Sequence, residues 1–290
     1  MRYKTKKLSL NNKIFENIKS NSKGSIIRLD IYSHILNNHR NIDVYLPPSY
    51  FKNPNKRYPV VYMHDGNNLF YHEIAFGNYP WKADKTVDKL INTALIEEVI
   101  VVGIHNTMGR NYEYTWHEMS YRNGFREGGG GDKYAKFIIH ELKQSIDSKF
   151  RTLSDKNNTS VIGSSLGGLI SFYLGLYYPN VFGKIGIMSP SFWWANARVL
   201  NDVKHLSHDL KIWLDMGTKE GGKVNGENPN LVLTSYMKHE LHKKGYAEGY
   251  NLGYLEDRGG KHNEHHWGQR LHIPLIFFFG KRHSLIFSKT

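Results

Sequence analysis

The pattern of apolar and polar positions predicts a chain in which short strands alternate with helices. Two early segments, residues 25–36 and 41–45, alternate in polarity and favour β structure, and residues 37–40 between them are typical of a turn. These segments predict an antiparallel hairpin. Two later runs, residues 59–63 and 99–104, are continuously apolar. Such runs are typical of strands that are buried on both faces of a sheet.

Further along the chain, the predicted strands and helices follow one another in turn. A helix is predicted over residues 133–150 because apolar side chains recur there at helical spacing. The other predicted helices are residues 86–94, 169–177, 230–244 and 267–279, the last interrupted at Pro274, and the other predicted strands are residues 160–162, 184–188, 211–216 and 250–255.

This order predicts an α/β fold with a mostly parallel central sheet, an N-terminal antiparallel hairpin and helices on both faces. We expect residues 1–24 to form an N-terminal extension and residues 25–290 a single domain. In sheets of this kind, ligands bind at the carboxyl ends of the strands. The residues that directly follow each strand are therefore the candidates for chemistry.

Composition and charge narrow the possible functions. The chain has 290 residues and no cysteine, which excludes disulfides, thiolate metal sites and a cysteine nucleophile. Its formal net charge of +13 would suit a polyanionic ligand, but its basic residues form no long block beyond Lys4–Lys7. No apolar segment approaches the length of a membrane span, and no signal-peptide pattern follows the charged start. We therefore expect a cytoplasmic protein without a nucleic-acid or membrane partner.

The segment Gly163-Ser164-Ser165-Leu166-Gly167-Gly168 lies between a predicted strand and a predicted helix. In that context Gly-x-Ser-x-Gly forms a strained turn that lifts its serine above the sheet. We therefore predict that Ser165 is a nucleophile, with Ser164 as the competing hydroxyl. The N–H of Leu166, at the helix N-terminus, is a predicted oxyanion donor.

A nucleophilic serine needs a base, which in this arrangement follows the serine and the acid along the chain. His262 comes directly after the last predicted strand and a glycine pair, whereas His265 and His266 are expected to open the final helix. These histidines and Glu264 lack the His-Glu-x-x-His spacing of a helical zinc site. We therefore predict His262 as the base and expect no metal and no organic cofactor.

The acid of the triad is expected after the strand at residues 211–216. Glu220 lies in the following loop and is favoured over Asp215, which lies within the strand. The second oxyanion donor is expected in the turn after the first buried strand, where Gly66 gives the backbone freedom. There the N–H of Asn67 is the predicted donor.

Four segments together resemble the putative-esterase family of α/β hydrolases over residues 25–280. They are Tyr45-Leu46-Pro47-Pro48-Ser49-Tyr50, Met63-His64-Asp65-Gly66-Asn67-Asn68-Leu69-Phe70, the Ser165 segment and Lys261-His262-Asn263-Glu264. The family groups enterochelin esterases, feruloyl and acetyl-xylan esterases, S-formylglutathione hydrolases and mycolyl transferases. The resemblance implies the α/β-hydrolase fold, with Ser165 and His262 at the nucleophile and base positions and Asn67 and Leu166 at the oxyanion positions. Gly217-Thr218-Lys219-Glu220 is similar to the segment that carries the acid in feruloyl-type members.

The same resemblance suggests which side chains line the cleft. The two tryptophans of Ser189-Pro190-Ser191-Phe192-Trp193-Trp194 follow a strand, where they are able to stack on an aromatic acyl group. A second group of residues follows the second buried strand and resembles a cleft-lining segment of the family, namely Arg110, Glu113 and Tyr114. The residues expected to bind substrate are Asp65, Arg110, Glu113, Tyr114, Trp193 and Trp194.

These features predict a serine carboxylic-ester hydrolase that acts on a small-molecule ester through an acyl-enzyme. The positive charge and the aromatic loop favour an anionic aromatic ester, such as a catecholate trilactone siderophore. Three alternatives remain open at this point: a feruloyl or acetyl carbohydrate esterase, an acyltransferase, and a non-catalytic basic binding protein.

Overall fold

The computed structural model describes residues 23–224 and 226–281. Its strands are β1 Ser25–Ser33, β2 Asn38–Leu46, β3 Val60–Met63, β4 Ile100–Ile104, β5 Glu118–Ser120, β6 Arg126–Gly128, β7 Thr159–Ser164, β8 Lys184–Met188, β9 Lys211–Gly217 and β10 Leu252–Asp257. Eight of them form one sheet in the order β1-β2-β4-β3-β7-β8-β9-β10, and β5 and β6 pair separately. Strand β2 pairs antiparallel with β1 and with β4, and the sheet is parallel from β4 to β10. The mostly parallel sheet with an N-terminal hairpin is therefore confirmed.

The helices connect the strands in the alternating order that the sequence predicts. They are α1 Ala83–Asn92, α2 Arg110–Glu113, α3 Gly131–Lys136, α4 Lys143–Lys149, α5 Leu166–Tyr177, α6 Trp194–Ala197, α7 Val199–Asp202, α8 Pro229–Lys243, α9 Glu264–Arg270 and α10 His272–Phe279. A π-helical segment, Phe137–Leu142, joins α3 to α4. Short 3-10 segments lie at Gly66–Asn68, Phe76–Asn78, Lys156–Asn158 and Val203–His205.

The central strands are buried on both faces. Along β3, Val60 and Tyr62 belong to one apolar core, and Val61 and Met63 belong to the other. This alternation follows from the geometry of a strand, whose successive side chains point to opposite faces. The first core includes residues of α3, α4, α5 and α8, and the second includes residues of α1, α9 and α10. Helices therefore cover both faces.

Some predicted boundaries are wrong. The hairpin turn lies at residues 34–37, where Asn37 has a left-handed φ of 53°, and β2 already begins at Asn38. The predicted turn at residues 37–40 is displaced because Arg40 is buried and its guanidinium pairs with Glu113. That contact extends the strand through a region whose composition suggests a turn. The small β5–β6 pair is not among the predicted strands.

The predicted final helix is divided. Helix α9 ends at Arg270 and α10 begins at His272, so that Pro274 lies in the first turn of α10. Proline is tolerated there because the first N–H groups of a helix have no intrahelical acceptor. The predicted extension at residues 1–24 lies outside the described residues, apart from Lys23 and Gly24, and the single-domain boundary stays a prediction.

None of the helices in the described part of the chain combines the length and apolar character that crossing a membrane requires.

Candidate active site

Ser165 occupies the turn between β7 and α5. Its φ and ψ are 59° and −123°, a conformation that non-glycine residues rarely adopt. The turn depends on small neighbours, because a Cβ on Gly163 would lie 2.5 Å from the backbone of Gly167. The Ser165 N–H donates to the carbonyl of Met188 at 3.1 Å. The strained turn holds the partly exposed Ser165 side chain at the carboxyl edge of the sheet, whereas Ser164 is buried within β7.

His262 reaches Ser165 from the loop after β10. Its Nε2 lies 2.9 Å from the Ser165 Oγ, although 97 positions separate the two residues. Its ring packs nearly perpendicular to that of Trp267, with the ring centroids 4.8 Å apart. Asn263 caps α9 by accepting a hydrogen bond from the N–H of His266. The cap fixes the start of the helix directly after His262, and so limits the positions that the imidazole can take.

Glu220 is the carboxylate that contacts the imidazole. Its Oε2 lies 2.7 Å from the His262 Nδ1, and its Oε1 accepts hydrogen bonds from the Gly217 N–H at 2.9 Å and the Ser189 hydroxyl at 2.5 Å. Burial raises the pKa of Glu220, but the hydrogen bonds from His262 and Ser189 outweigh burial and leave the pKa below its usual value. The carboxylate is therefore ionised at neutral pH.

Asp215, the alternative acid, lies deeper in the fold. Its carboxylate accepts hydrogen bonds from the indole N–H of Trp213 at 2.6 Å and from Arg270 at 2.8 Å and 3.0 Å. Burial raises the pKa of Asp215, and the charge of Arg270 opposes that rise. Of the two carboxylates that the sequence suggests, Glu220 contacts His262 and Asp215 contacts Arg270.

The loops that carry Glu220 and His262 are tied together by three hydrogen bonds. The Thr218 N–H donates to the Asp257 carbonyl and the Lys219 N–H to the Gly260 carbonyl, both at 2.9 Å. The Gly259 N–H donates to the Thr218 hydroxyl at 2.8 Å. These bonds continue the pairing of β9 with β10 beyond the sheet. They explain why Glu220 and His262 meet.

Two turns present free N–H groups at this edge of the sheet. Leu166 is the first residue of α5 and Asn67 the second residue of the Gly66–Asn68 turn, so neither N–H has an acceptor within its own turn. The two turns follow neighbouring parallel strands, β7 and β3. Gly66 is required because a Cβ there would lie 2.5 Å from the carbonyl carbon of Gly103. The arrangement is able to supply two oxyanion donors.

Asp65 and Arg110 form an ion pair beside the Asn67 turn. The Arg110 Nε and Nη2 donate to the two carboxylate oxygens of Asp65 at 2.7 Å and 2.9 Å. Burial raises the pKa of Asp65, but the charge and hydrogen bonds of Arg110 outweigh burial and lower it. The Arg110 side chain remains 26% exposed. The side chain of Trp193, in the loop after β8, is also exposed. These exposed groups are accessible to a ligand.

Three other residues expected in the cleft are buried and have internal partners. Glu113 forms a two-point ion pair with Arg40, at 2.6 Å and 2.9 Å. The Tyr114 hydroxyl accepts a hydrogen bond from the Asp65 N–H at 3.0 Å, and the Trp194 indole donates to the His117 carbonyl at 2.7 Å. Their positions give no support to the prediction that they bind substrate. Tyr114 instead supports the turn that carries Asn67.

Two residues of the site were missed by the sequence analysis. The Ser191 hydroxyl lies 3.2 Å from the Ser165 Oγ, and the Ser191 N–H donates to the Ser165 carbonyl. Arg270 lies beneath Glu220. The segment Ser189-Pro190-Ser191-Phe192-Trp193-Trp194 predicts a functional loop, but its pattern singles out the tryptophans and not Ser191. A single arginine in a predicted helix gave no comparable signal.

Among residues 23–224 and 226–281, no group of three or more His, Asp or Glu side chains is placed to hold a metal ion.

Comparison with known proteins gives a consistent picture. The family model described as "Putative esterase" matches residues 33–278. The uncharacterized protein YbbA of Bacillus subtilis (strain 168) is 28% identical over 251 residues, which cover 85% of this chain and 95% of YbbA.

Two relatives carry names that state an activity. The endo-1,4-beta-xylanase/feruloyl esterase of Xylanibacter ruminicola is 29% identical over 241 residues, which cover 78% of this chain and 29% of that protein. The ferri-bacillibactin esterase BesA of Bacillus subtilis is 25% identical over 219 residues, covering 71% of this chain and 69% of BesA.

A crystal structure of the BES protein from Bacillus cereus superposes on this chain with a TM-score of 0.69 at 22% sequence identity, covering 88% of this chain and 96% of that one. This likeness supports the α/β-hydrolase fold.

Proposed function

The chain belongs to the putative-esterase family and is a carboxylic-ester hydrolase, and from this premise we propose that it is a serine esterase. Ser165 is the nucleophile, His262 the general base and Glu220 the acid. The proposal is carried by one observation, the continuous chain of hydrogen bonds from the Ser165 Oγ through the imidazole to the Glu220 carboxylate. Catalytic serine, base and acid adopt this order of contacts on several unrelated folds.

The proposed reaction begins when His262 Nε2 removes the Ser165 proton as the hydroxyl oxygen attacks the ester carbonyl. The carbonyl oxygen becomes negatively charged and accepts hydrogen bonds from the N–H groups of Leu166 and Asn67. The imidazolium then donates its proton to the leaving alcohol, and the ester bond breaks. A water molecule, deprotonated by His262, attacks the carbonyl carbon of the acyl-enzyme. The bond to the Ser165 Oγ then breaks, the imidazolium returns its proton to that oxygen, and the carboxylic acid leaves.

Glu220 gives the imidazole the state that this reaction needs. An ionised carboxylate beside Nδ1 holds the ring proton on that nitrogen, which leaves Nε2 free to accept the serine proton. The same negative charge stabilises the imidazolium that forms during attack. Because hydrogen bonds from His262 and Ser189 keep the pKa of Glu220 low, the carboxylate stays ionised over the range in which esters are hydrolysed.

We propose that the physiological substrate is an anionic aromatic ester of small molecular size. A cavity of about 730 Å3 between α1 and α9–α10 is lined by Lys82, Lys85 and Lys89, and no carboxylate of the described residues lines it. It shares His265 with a neighbouring cavity of about 400 Å3, which the residues after His262 also line. Neither cavity is lined by Ser165 or His262, so the lysines favour a negatively charged group on the part of the ligand that lies beside the base loop, away from the reacting carbonyl.

The name of BesA supports a ferric siderophore within this class. A second candidate, a feruloyl carbohydrate ester, is favoured by the name of the Xylanibacter relative. The exposed Trp193 suits the aromatic acyl group of either substrate. The lysine-lined cavity distinguishes them, because feruloyl sugar esters are largely uncharged, and it favours the siderophore.

Two measurements test the proposal. Hydrolysis of p-nitrophenyl butyrate by the wild type and by Ser165→Ala tests the chemistry, and equal rates would exclude catalysis at Ser165. Ferric and iron-free catecholate trilactones, methyl ferulate and acetylated xylan are then compared as substrates. Hydrolysis of the sugar and ferulate esters alone would reject the siderophore class. Preferential transfer of the butyryl group to an added alcohol would identify an acyltransferase instead.

A further inference from the structure

The guanidinium of Arg270 is enclosed beneath the proposed triad and contacts three carboxylates. Arg270 is 3% exposed, and its Nε and Nη2 donate to Asp215 Oδ1 at 3.0 Å and 2.8 Å. Its Nη1 donates to Asp257 at 3.1 Å, and its Nη2 also lies 3.3 Å from Glu220 Oε1. One cation is therefore shared between the proposed catalytic acid and a second buried acid.

The shared cation matters because it balances the charges of two buried carboxylates. Both Asp215 and Glu220 are fully buried, at 0% exposure. Two carboxylates in one buried site repel each other, so that one of them takes up a proton unless a positive charge compensates. Burial raises the pKa of Asp215, Arg270 opposes that rise, and the charge of Glu220 adds to it. Within this network Arg270 is the permanently charged cation that favours the ionised form of both acids.

Ser189 provides a second connection between Arg270 and the acid. Its Oγ accepts hydrogen bonds from the Trp267 indole N–H at 2.9 Å and from Arg270 Nη2. A hydroxyl has two acceptor sites and one proton, so two donors leave the proton free to point only at a third partner. That partner is Glu220 Oε1, at 2.5 Å. Arg270 therefore fixes the direction in which Ser189 donates.

We infer that Arg270 is a positioning residue for the esterase reaction, holding Glu220 as an oriented, ionised carboxylate both directly and through Ser189. The inference rests on the proposed triad and gives Arg270 no contact with substrate. The charged and titratable groups around Glu220 are His262 from the loop after β10, Arg270 from α9 and Asp215 from β9, and Asp257 at the end of β10 shares Arg270.

The substitution Arg270→Met removes the cation and leaves two buried carboxylates facing each other. We expect Glu220 to be protonated over a wider pH range, since an opposite charge nearby typically lowers a carboxyl pKa by about 1–3 units. For p-nitrophenyl butyrate, kcat is expected to fall roughly tenfold to hundredfold, and the acid limb of its pH profile to move to higher pH.

The double variant Arg270→Met/Asp215→Asn separates positioning from simple loss of packing. Asparagine removes the buried negative charge next to Glu220, so that the Glu220 carboxylate is no longer repelled by a neighbour without a counter-charge. We expect the double variant to recover most of the lost kcat and to bring the acid limb back towards that of the wild type. A residue that only supported the fold would show no such rescue.

Arg40→Met is the matched control, because Arg40 is also buried and paired with a carboxylate, that of Glu113. It is expected to lower Tm as Arg270→Met does, without moving the acid limb. The inference would be overturned if Arg270→Met and Arg40→Met had the same acid limb, or if adding Asp215→Asn to Arg270→Met recovered no kcat.

If circular dichroism shows that Arg270→Met does not fold, kcat and the acid limb of the pH profile are measured for Arg270→Lys instead. An intermediate acid limb supports the inference, and a wild-type kcat and limb overturn it. Failure of the triad itself is recognised separately, since Glu220→Gln would then keep wild-type activity.

Discussion

The imidazole of His262 and the carboxylate of Glu220 meet through a 2.7 Å contact between Nδ1 and Oε2, although 42 positions separate them in the chain. Glu220→Gln keeps the shape of the side chain and removes its charge. We expect kcat for p-nitrophenyl butyrate to fall by about 10²–10⁴, because the amide neither holds the tautomer nor stabilises the imidazolium. KM should change little.

Lys219→Gln is the control for that substitution, because it changes the charge of the adjacent, exposed side chain. Its steady-state kinetics should match those of the wild type. A kcat within threefold of the wild type for Glu220→Gln would remove Glu220 from the triad.

Ser191 contacts the nucleophile directly, with the two hydroxyl oxygens 3.2 Å apart. A single neutral hydrogen bond contributes about 0.5–1.5 kcal/mol, which corresponds to roughly a twofold to twelvefold effect on a rate. We therefore expect Ser191→Ala to lower kcat within that range, with KM unchanged. A loss as large as that of Ser165→Ala would instead make Ser191 a participant in the chemistry.

Tyr114 supports the turn that carries Asn67 by accepting the Asp65 N–H at 3.0 Å. Tyr114→Phe leaves that buried N–H without its acceptor, which typically costs about 1–3 kcal/mol. We expect a lower free energy of unfolding in urea and a lower kcat, because the oxyanion donor is less firmly held. Tyr112→Phe changes an exposed neighbour and should leave both unchanged. Unaltered stability in Tyr114→Phe would contradict this role.

His64 makes stability depend on acid pH. It is buried beside Tyr134, and burial lowers its pKa to about 3 from the ordinary value of 6.5. Between these values the unfolded chain binds a proton that the folded chain does not, so stability falls as pH falls from 6.5 towards 3. The loss attributable to His64 is about 1.4 kcal/mol per pH unit across that window.

Urea denaturation at several pH values tests this dependence. We expect His64→Gln to show a shallower loss of stability below pH 6.5 than the wild type. His34→Gln, which replaces an exposed histidine, should keep the wild-type slope. Parallel slopes for the wild type and His64→Gln would show that His64 is not the group responsible.

Local sequence patterns were enough to predict the parts of the site that are local in the chain. The Gly-x-Ser-x-Gly turn identified the strained turn at Ser165 because its glycines are required within one short segment. Continuous apolar runs predicted the buried strands because each run also lies within one short segment of the chain. His262 was predicted as the base because a base follows the last strand in this fold, and the structure places its Nε2 2.9 Å from the Ser165 Oγ. Its catalytic role stays a prediction.

Contacts between distant residues account for the errors. Glu113 was expected in the cleft, but its partner Arg40 lies 73 positions earlier, and no local pattern reveals that pair. The same pair displaced the predicted hairpin turn. Arg270 was missed because its contact with Glu220 spans 50 positions. Periodicity shows that a helix buries one face, but not which buried carboxylates a single arginine meets.

The most direct test of Ser165 as the nucleophile is to find which residue reacts with a fluorophosphonate. Such reagents modify a serine whose hydroxyl is activated by a neighbouring base, and peptide mass spectrometry then locates the adduct. We predict one adduct, on Ser165, with no labelling in Ser165→Ala and at least hundredfold slower labelling in His262→Ala. An adduct on another serine, or wild-type labelling of Ser165→Ala, would contradict it.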